Sequence, residues 1–138
     1  MTRRLLGIDV GGSFIKAGVV DIEAGRLVGE LISAPTPQPS APEAMMPTIA
    51  GLAAKLPEAT GPVGLAFPAV VKSGRARTAA NIDHAWIGAD GAALIRRTLG
   101  RDALFLNDAD AAGLAEMRLG AGRGVTGSVV MLTFGTGI

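Results

Sequence analysis

The sequence predicts a mixed α/β sheet whose later strands are reached through crossover helices. Short apolar runs recur along the 138 residues and break at glycine, proline or aspartate. The first three runs are joined only by short glycine-containing links, which predicts an antiparallel meander. The later runs alternate with helix-like stretches, so the strands they form should lie parallel to the first.

Leu5–Val10 reads as a buried strand, Phe14–Asp21 as a second and Arg26–Ile32 as a third. Ala34-Pro35-Thr36-Pro37-Gln38-Pro39 then reads as an extended connector. Ser40 and Glu43 have capping-box spacing and should open a helix running to about Leu56. Pro47 lies inside that helix and predicts a kink or a later start. Gly61-Pro62 precedes a fourth strand, Val63–Phe67, and a loop-rich stretch follows to Gly88. Asp90–Leu99 reads as a helix and Ala103–Leu106 as a fifth strand. Asn107 should cap a helix from Asp108 to Leu119 that ends at Gly120. Val129–Phe134 reads as a sixth strand.

Composition narrows the function classes. The length fits one domain, and 49% hydrophobic with 18% charged residues is a globular balance. A net charge of +1 gives no field to draw nucleic acid or an anionic membrane. With no cysteine, disulfides, thiolate metal sites and a cysteine nucleophile are excluded, and a cytoplasmic location is expected. A single histidine excludes a histidine-rich metal site. Arg3-Arg4 is followed by an apolar stretch that Asp9 and Lys16 interrupt, which fits neither a signal peptide nor a membrane span.

Two glycine-rich segments are built alike: Leu6-Gly7-Ile8-Asp9-Val10-Gly11-Gly12-Ser13 near the start, and Val130-Met131-Leu132-Thr133-Phe134-Gly135-Thr136-Gly137-Ile138 at the end. Backbone N–H groups at such turns can wrap oxyanions, and glycine lets a phosphate approach the main chain. In the first, Asp9 stands in an apolar strand, where a carboxylate is costly without a partner or an ion. It could hold a hydrated Mg²⁺, which takes one or two carboxylates plus water and phosphate oxygens; the plainer reading is an ordinary hairpin turn. Asn107-Asp108-Ala109-Asp110 lies where a strand ends and a helix begins, at the edge of the parallel strands where ligands collect. An ionised Asp108 could accept a proton from an attacking hydroxyl, or the segment could simply cap its helix. Asn81, in the polar stretch Thr78–Gly88, can donate to and accept from a sugar hydroxyl. His84 reads as an exposed loop residue and Trp86 as a core anchor. The pairs Arg75/Arg77 and Arg96/Arg97 read as solvated surface, and Met45-Met46 as helix core. The Gly-x-Gly-x-x-Gly match at Gly122, Gly124 and Gly127 follows a helix and precedes a strand, the reverse of the dinucleotide-binding context, and reads as chance.

In order, and over the whole chain, these segments resemble the ROK family of sugar kinases. The resemblance rests on Gly7–Ser13, Phe67-Pro68-Ala69-Val70-Val71, Thr78-Ala79-Ala80-Asn81-Ile82-Asp83, Trp86-Ile87-Gly88, Asn107–Gly113 and Leu132–Ile138. Thr78-Ala79-Ala80-Asn81 and Thr133-Phe134-Gly135-Thr136-Gly137 point to the polyphosphate-using branch of that family. The resemblance implies an actin/hexokinase-like (ribonuclease H-like) lobe with a mixed five-stranded sheet, and two α/β lobes around a cleft in the whole protein. Residues 1–122 would be the N-terminal lobe and 123–138 the start of a truncated C-terminal lobe, with Val129–Phe134 as its first strand. Asp108 would be the base that takes the proton from the glucose 6-hydroxyl, with Asn81, Asn107 and Asp108 holding the sugar. Asp9 would bind Mg²⁺ through water. Gly11, Gly12, Ser13 and Lys16 would form one phosphate site, and Thr133, Gly135, Thr136 and Gly137 the other. Inorganic polyphosphate or ATP would be the donor, and the whole protein would be a homodimer. The family's chains are longer, so the expected activity of these 138 residues is weak or nil. An ATP-dependent hexokinase and a non-catalytic sugar-binding fragment stand as the alternatives.

Overall fold

The computed structural model describes residues 3–134. The chain runs β1 (Arg4–Val10), β2 (Phe14–Asp21), β3 (Arg26–Pro35), α1 (Pro42–Ala54), β4 (Val63–Phe67), β5 (Val71–Lys72), β6 (Arg75–Ala76), α2 (Gly91–Leu99), β7 (Ala103–Asn107) and α3 (Asp108–Leu119). A 3-10 turn, His84–Trp86, lies between β6 and α2. Five strands form one mixed sheet in the order β3-β2-β1-β4-β7. β1, β2 and β3 are antiparallel neighbours, while β4 lies parallel to β1 and β7 parallel to β4. This is the predicted meander with two strands added through helices.

Side-chain alternation divides the sheet into two faces. Leu6, Ile8, Val10, Ile15, Ala17, Val19, Val63, Leu65, Phe67 and Phe105 are buried. α1 and α2 pack on this face and on each other, adding Met45, Met46, Ile49, Leu52 and Ile95 to the core. The rings of Phe67 and Trp86 lie 4.3 Å apart at 49°, and those of Phe67 and Phe105 5.2 Å apart at 58°. Such tilted pairs stabilise beyond the area they bury. The opposite face carries small or charged residues. Gly7 pairs with Gly18 on one side and Gly64 on the other, making a row of three glycines across three strands. The next row is Lys16, Asp9 and Ala66. Together with Leu27, Leu31 and Ala111 of α3, these rows line an open groove of about 520 Å³.

The structure departs from the sequence reading in four places. No capping box forms at α1: Ala41 is the N-cap and makes no side-chain cap bond. The Ser40 hydroxyl instead accepts the Asp83 N–H at 2.9 Å, a buried tertiary bond that outcompetes a local one. α1 runs through Pro47 unbroken and stops at Ala54. Pro47 is on the exposed side with Glu43, so the carbonyl that loses its partner lies toward water. The stretch read as loop holds the β5–β6 hairpin, closed by Ser73 (φ 53°) and Gly74 (φ 72°) in the left-handed region that a two-residue hairpin turn requires. Finally, Val129–Phe134 forms no strand. Among the described residues no strand pairs with it, and an apolar run without a neighbour has no ladder to join. Val130, Leu132 and Phe134 are instead 82%, 73% and 77% exposed.

Candidate functional site

Because β1, β4 and β7 are parallel, their carboxyl ends open on one edge of the sheet. The Gly11–Ser13 turn, Pro68-Ala69 and the start of α3 therefore meet there, at the edge where α/β sheets collect ligands. Phe67 and Asn107 are register partners, and the Asn107 Nδ2 group donates to the Ala69 carbonyl at 2.9 Å. Its Oδ1 accepts the Asp110 N–H at 3.1 Å, so Asn107 caps α3 while tying β7 to the end of β4. That fixes the direction in which α3 departs and the position of Asp108 in its first turn.

Asp9, Asp108 and Thr133 line one cavity of about 340 Å³, with Ala66, Ala109, Ala111 and Ala112. The alanines leave room and put no competing polar group on the wall. One Asp108 oxygen accepts the Ala109 N–H at 2.8 Å. The Asp9 carboxyl is pushed above the ordinary carboxylate range, chiefly by burial and next by the Asp108 charge; Lys16 pulls it back. Lys16 is the cross-strand partner of Asp9 and projects from the same face.

Beside the carboxylates stands the glycine turn. Gly11 donates its N–H to the Phe14 carbonyl at 2.9 Å. A Cβ on Gly11 would come within 2.8 Å of that oxygen, so only glycine fits. The Gly11 carbonyl accepts the Thr36 hydroxyl at 2.7 Å, and the Ser13 carbonyl accepts the Thr36 N–H at 2.9 Å. Gln38 reaches the Gly12 carbonyl at 3.4 Å. Among the described residues nothing accepts the N–H groups of Gly12 or Ser13. The turn thus commits its carbonyls to the protein and keeps two amides for an anion. Asn81 lies against it: a Cβ on Gly12 would sit 3.3 Å from the Asn81 carbonyl oxygen.

Of the residues singled out in the sequence, Asp9, Gly11, Gly12, Ser13, Lys16, Asn81, Asn107, Asp108 and Thr133 come together along this edge. Gly135, Thr136 and Gly137 lie outside the described residues. Trp86, Met45 and Met46 are core, as read, and His84 is exposed. Arg75 donates to the Gly88 carbonyl at 2.8 Å, and Arg96 pairs with Asp102 on the surface. The sequence reading put Thr36 and Gln38 in a connector and Ser40 in a helix cap, and gave none of the three a place at the site. Their signal was two small hydroxyls and an amide spaced two apart in a proline-rich run.

No group of three or more histidine or acidic residues gathers as a metal cage among the described residues. The pair Asp9 and Asp108 fits a looser demand. Mg²⁺ needs only one or two carboxylates plus water and phosphate, and the Asp9 carboxyl, whose proton affinity burial and the Asp108 charge raise, gains from a cation beside it.

Comparison with known proteins shows relatives of this chain and of its fold. The chain is 51% identical over 137 residues to the polyphosphate glucokinase of Mycobacterium tuberculosis, an alignment covering 99% of this chain and 51% of that protein. The polyphosphate glucokinase of Mycobacterium leprae is 49% identical over 136 residues, 98% of this chain and 42% of the relative. The chain thus spans about half the length of the curated relatives it matches. Among solved structures, the inorganic polyphosphate/ATP-glucomannokinase of Arthrobacter sp. strain KM superposes with a TM-score of 0.85 at 48% identity, covering 90% of this chain and 51% of that one. A ROK family glucokinase from Streptomyces griseus, solved with glucose and AMPPNP, superposes at 0.77 and 33% identity, over 88% and 38%. The sequence model of the ROK family matches residues 5–138, and the chain belongs to that family.

Proposed function

We propose that this chain supplies one lobe of a sugar kinase that moves a phosphoryl group from inorganic polyphosphate, or from ATP, to the 6-hydroxyl of glucose. The observation that carries the reading is the shared cavity of Asp9, Asp108 and Thr133 beside a turn with two uncommitted amides. The Mycobacterium relative, a polyphosphate glucokinase, and the Arthrobacter one, an inorganic polyphosphate/ATP-glucomannokinase, support the donor and the sugar. Residues 1–122 would form the lobe. Residues 123–138 would open a second one, which agrees with the exposure of every described residue after Gly122.

Phosphoryl transfer asks mainly for positioning and charge stabilisation. Asn81 and Asn107 would hold the sugar, with Asn107 contributing what its capping and Ala69 bonds leave over. Asp108, with one oxygen engaged by Ala109, would orient the 6-hydroxyl and take its proton with the other. The amides of Gly12 and Ser13, with Lys16, would hold the donor's terminal phosphates, and Thr133 would close the same cavity. Asp9 would hold Mg²⁺, which when bound offsets charge on the phosphoryl oxygens.

The test is glucose 6-phosphate formation from glucose, Mg²⁺ and polyphosphate. The 138-residue chain alone should turn over far more slowly than the full-length Mycobacterium tuberculosis relative. Joined to that relative's second half, it should become active. Asp108→Asn in the joined protein should then lower kcat by about 10²–10⁴-fold, the range of general-base help. A near-normal rate in that variant removes Asp108 from the base role.

A further inference from the structure

The connector from β3 to α1 reads in the sequence as a plain spacer. Yet it carries Thr36 and Ser40, which with Asp21 are the buried polar or charged residues among the described residues. Burying a hydroxyl is costly unless it is bonded, and both are bonded across the fold rather than to neighbours in sequence. Thr36 clasps the glycine turn from both ends, through its hydroxyl to the Gly11 carbonyl at 2.7 Å and its N–H to the Ser13 carbonyl at 2.9 Å. Four residues on, Ser40 holds the loop that carries Asn81. Its hydroxyl accepts the Asp83 N–H at 2.9 Å, and its carbonyl accepts the Trp86 indole N–H at 2.8 Å. Trp86 is wholly buried, so that anchor is fixed. Asn81 then returns alongside Gly12, where an added Cβ would sit 3.3 Å from its carbonyl oxygen. Turn, strap, indole and loop thus follow one another around a ring that closes between Asn81 and Gly12.

We propose that Thr36 and Ser40 are positioning residues. Through one short strap they set the spacing between the Gly11–Ser13 turn and the Asn81–Trp86 loop, so that a ligand on either is felt at the other. The identity of the two ligands, a phosphate chain on the turn and a sugar on the loop, rests on the sugar-kinase reading. The mechanical link does not. A turn held only by its own hairpin could shift without moving Asn81. A turn clasped by Thr36 cannot, because the strap that clasps it ends four residues later at a buried indole.

The experiment uses the 138-residue chain and ¹⁵N NMR, first without ligand. Thr36→Val, close in shape but lacking the hydroxyl, should shift the Asn81 amide and the Trp86 indole N–H as well as the amides of Gly11–Ser13. Thr36→Ser should return both sets to their original positions. Ser40→Ala should do the reverse, moving the Gly12 and Ser13 amides from the far end, and it decides the matter if Thr36→Val does not fold. Shifts confined to the turn in Thr36→Val and to residues 81–86 in Ser40→Ala would overturn the link. The second arm uses the chain joined to the second half of the Mycobacterium tuberculosis relative, with tripolyphosphate and glucose as probes. In that joined protein each should tighten the other's Kd by about 5-fold or more, the lower range of ordinary coupling. Thr36→Val should bring that factor to within about 2-fold, and Thr36→Ser should restore it. Binding of both probes with no coupling would overturn the proposal. If neither probe binds, the sugar-kinase reading fails, and the ligand-free spectra still decide the strap.

Discussion

The two faces of the five-stranded sheet are made by the same strands and serve opposite ends. In β1, Leu6, Ile8 and Val10 turn one way and are almost fully buried, while Gly7 and Asp9 turn the other way. One face is filled with branched and aromatic side chains beneath α1 and α2. The other is an open groove of glycines, the Asp9–Lys16 pair and a few aliphatic side chains, Val20, Leu27 and Leu31, and α3, which lies over it at Ala111, has no buried residue of its own. Stability therefore comes from one face and the candidate site gathers at the other. The two are separated by a single residue step along each strand.

That division can be tested by substitutions of decreasing effect. Phe67→Ala removes the ring between Trp86 and Phe105, and should cost about 3–5 kcal/mol in urea unfolding followed by the single tryptophan. A loss below about 1 kcal/mol would mean that the helix-covered face is not where the stability lies. Asp9→Asn should raise Tm modestly at pH 7. The folded Asp9 carboxyl has a raised proton affinity, so its ionised form opposes folding once the pH is above its folded pKa. The gain over the parent should fade as pH drops through that value, because the parent carboxyl is then neutral too. The same variant should lose Mg²⁺-dependent turnover in the joined protein. Leu132→Ser, on an apolar residue that is 73% exposed, should change stability by no more than about 0.5 kcal/mol by the same urea measurement.

The helix-covered face was legible in the sequence because it obeys simple periodicity. The runs that became β1, β2, β4 and β7, and the caps of α2 and α3, lie within a residue or two of where pattern and turn chemistry put them. The site was legible for another reason: Asp9 breaks an apolar strand, and Asn107-Asp108 sits at a strand-to-helix junction. What escaped was decided at long range. Ser40 has the spacing of a helix cap, but its hydroxyl bonds Asp83, 43 residues away. Thr36 bonds Gly11, 25 residues away. The apolar run Val129–Phe134 has strand composition but no strand beside it among the described residues, and composition alone makes no ladder.

The glycine row Gly18–Gly7–Gly64 sets the height of the exposed face. A methyl built onto Gly64 would touch nothing within 4 Å, so packing does not require the glycine there. An alanine would restrict the unfolded chain and tighten the strand. The sheet is thus pared down along one line, like a channel cut into a block. Whatever slides over Gly7 and Gly64 travels on main chain, walled at Gly18 by the Leu27 and Leu31 side chains, and the molecule forgoes an easy gain in rigidity to keep that clearance.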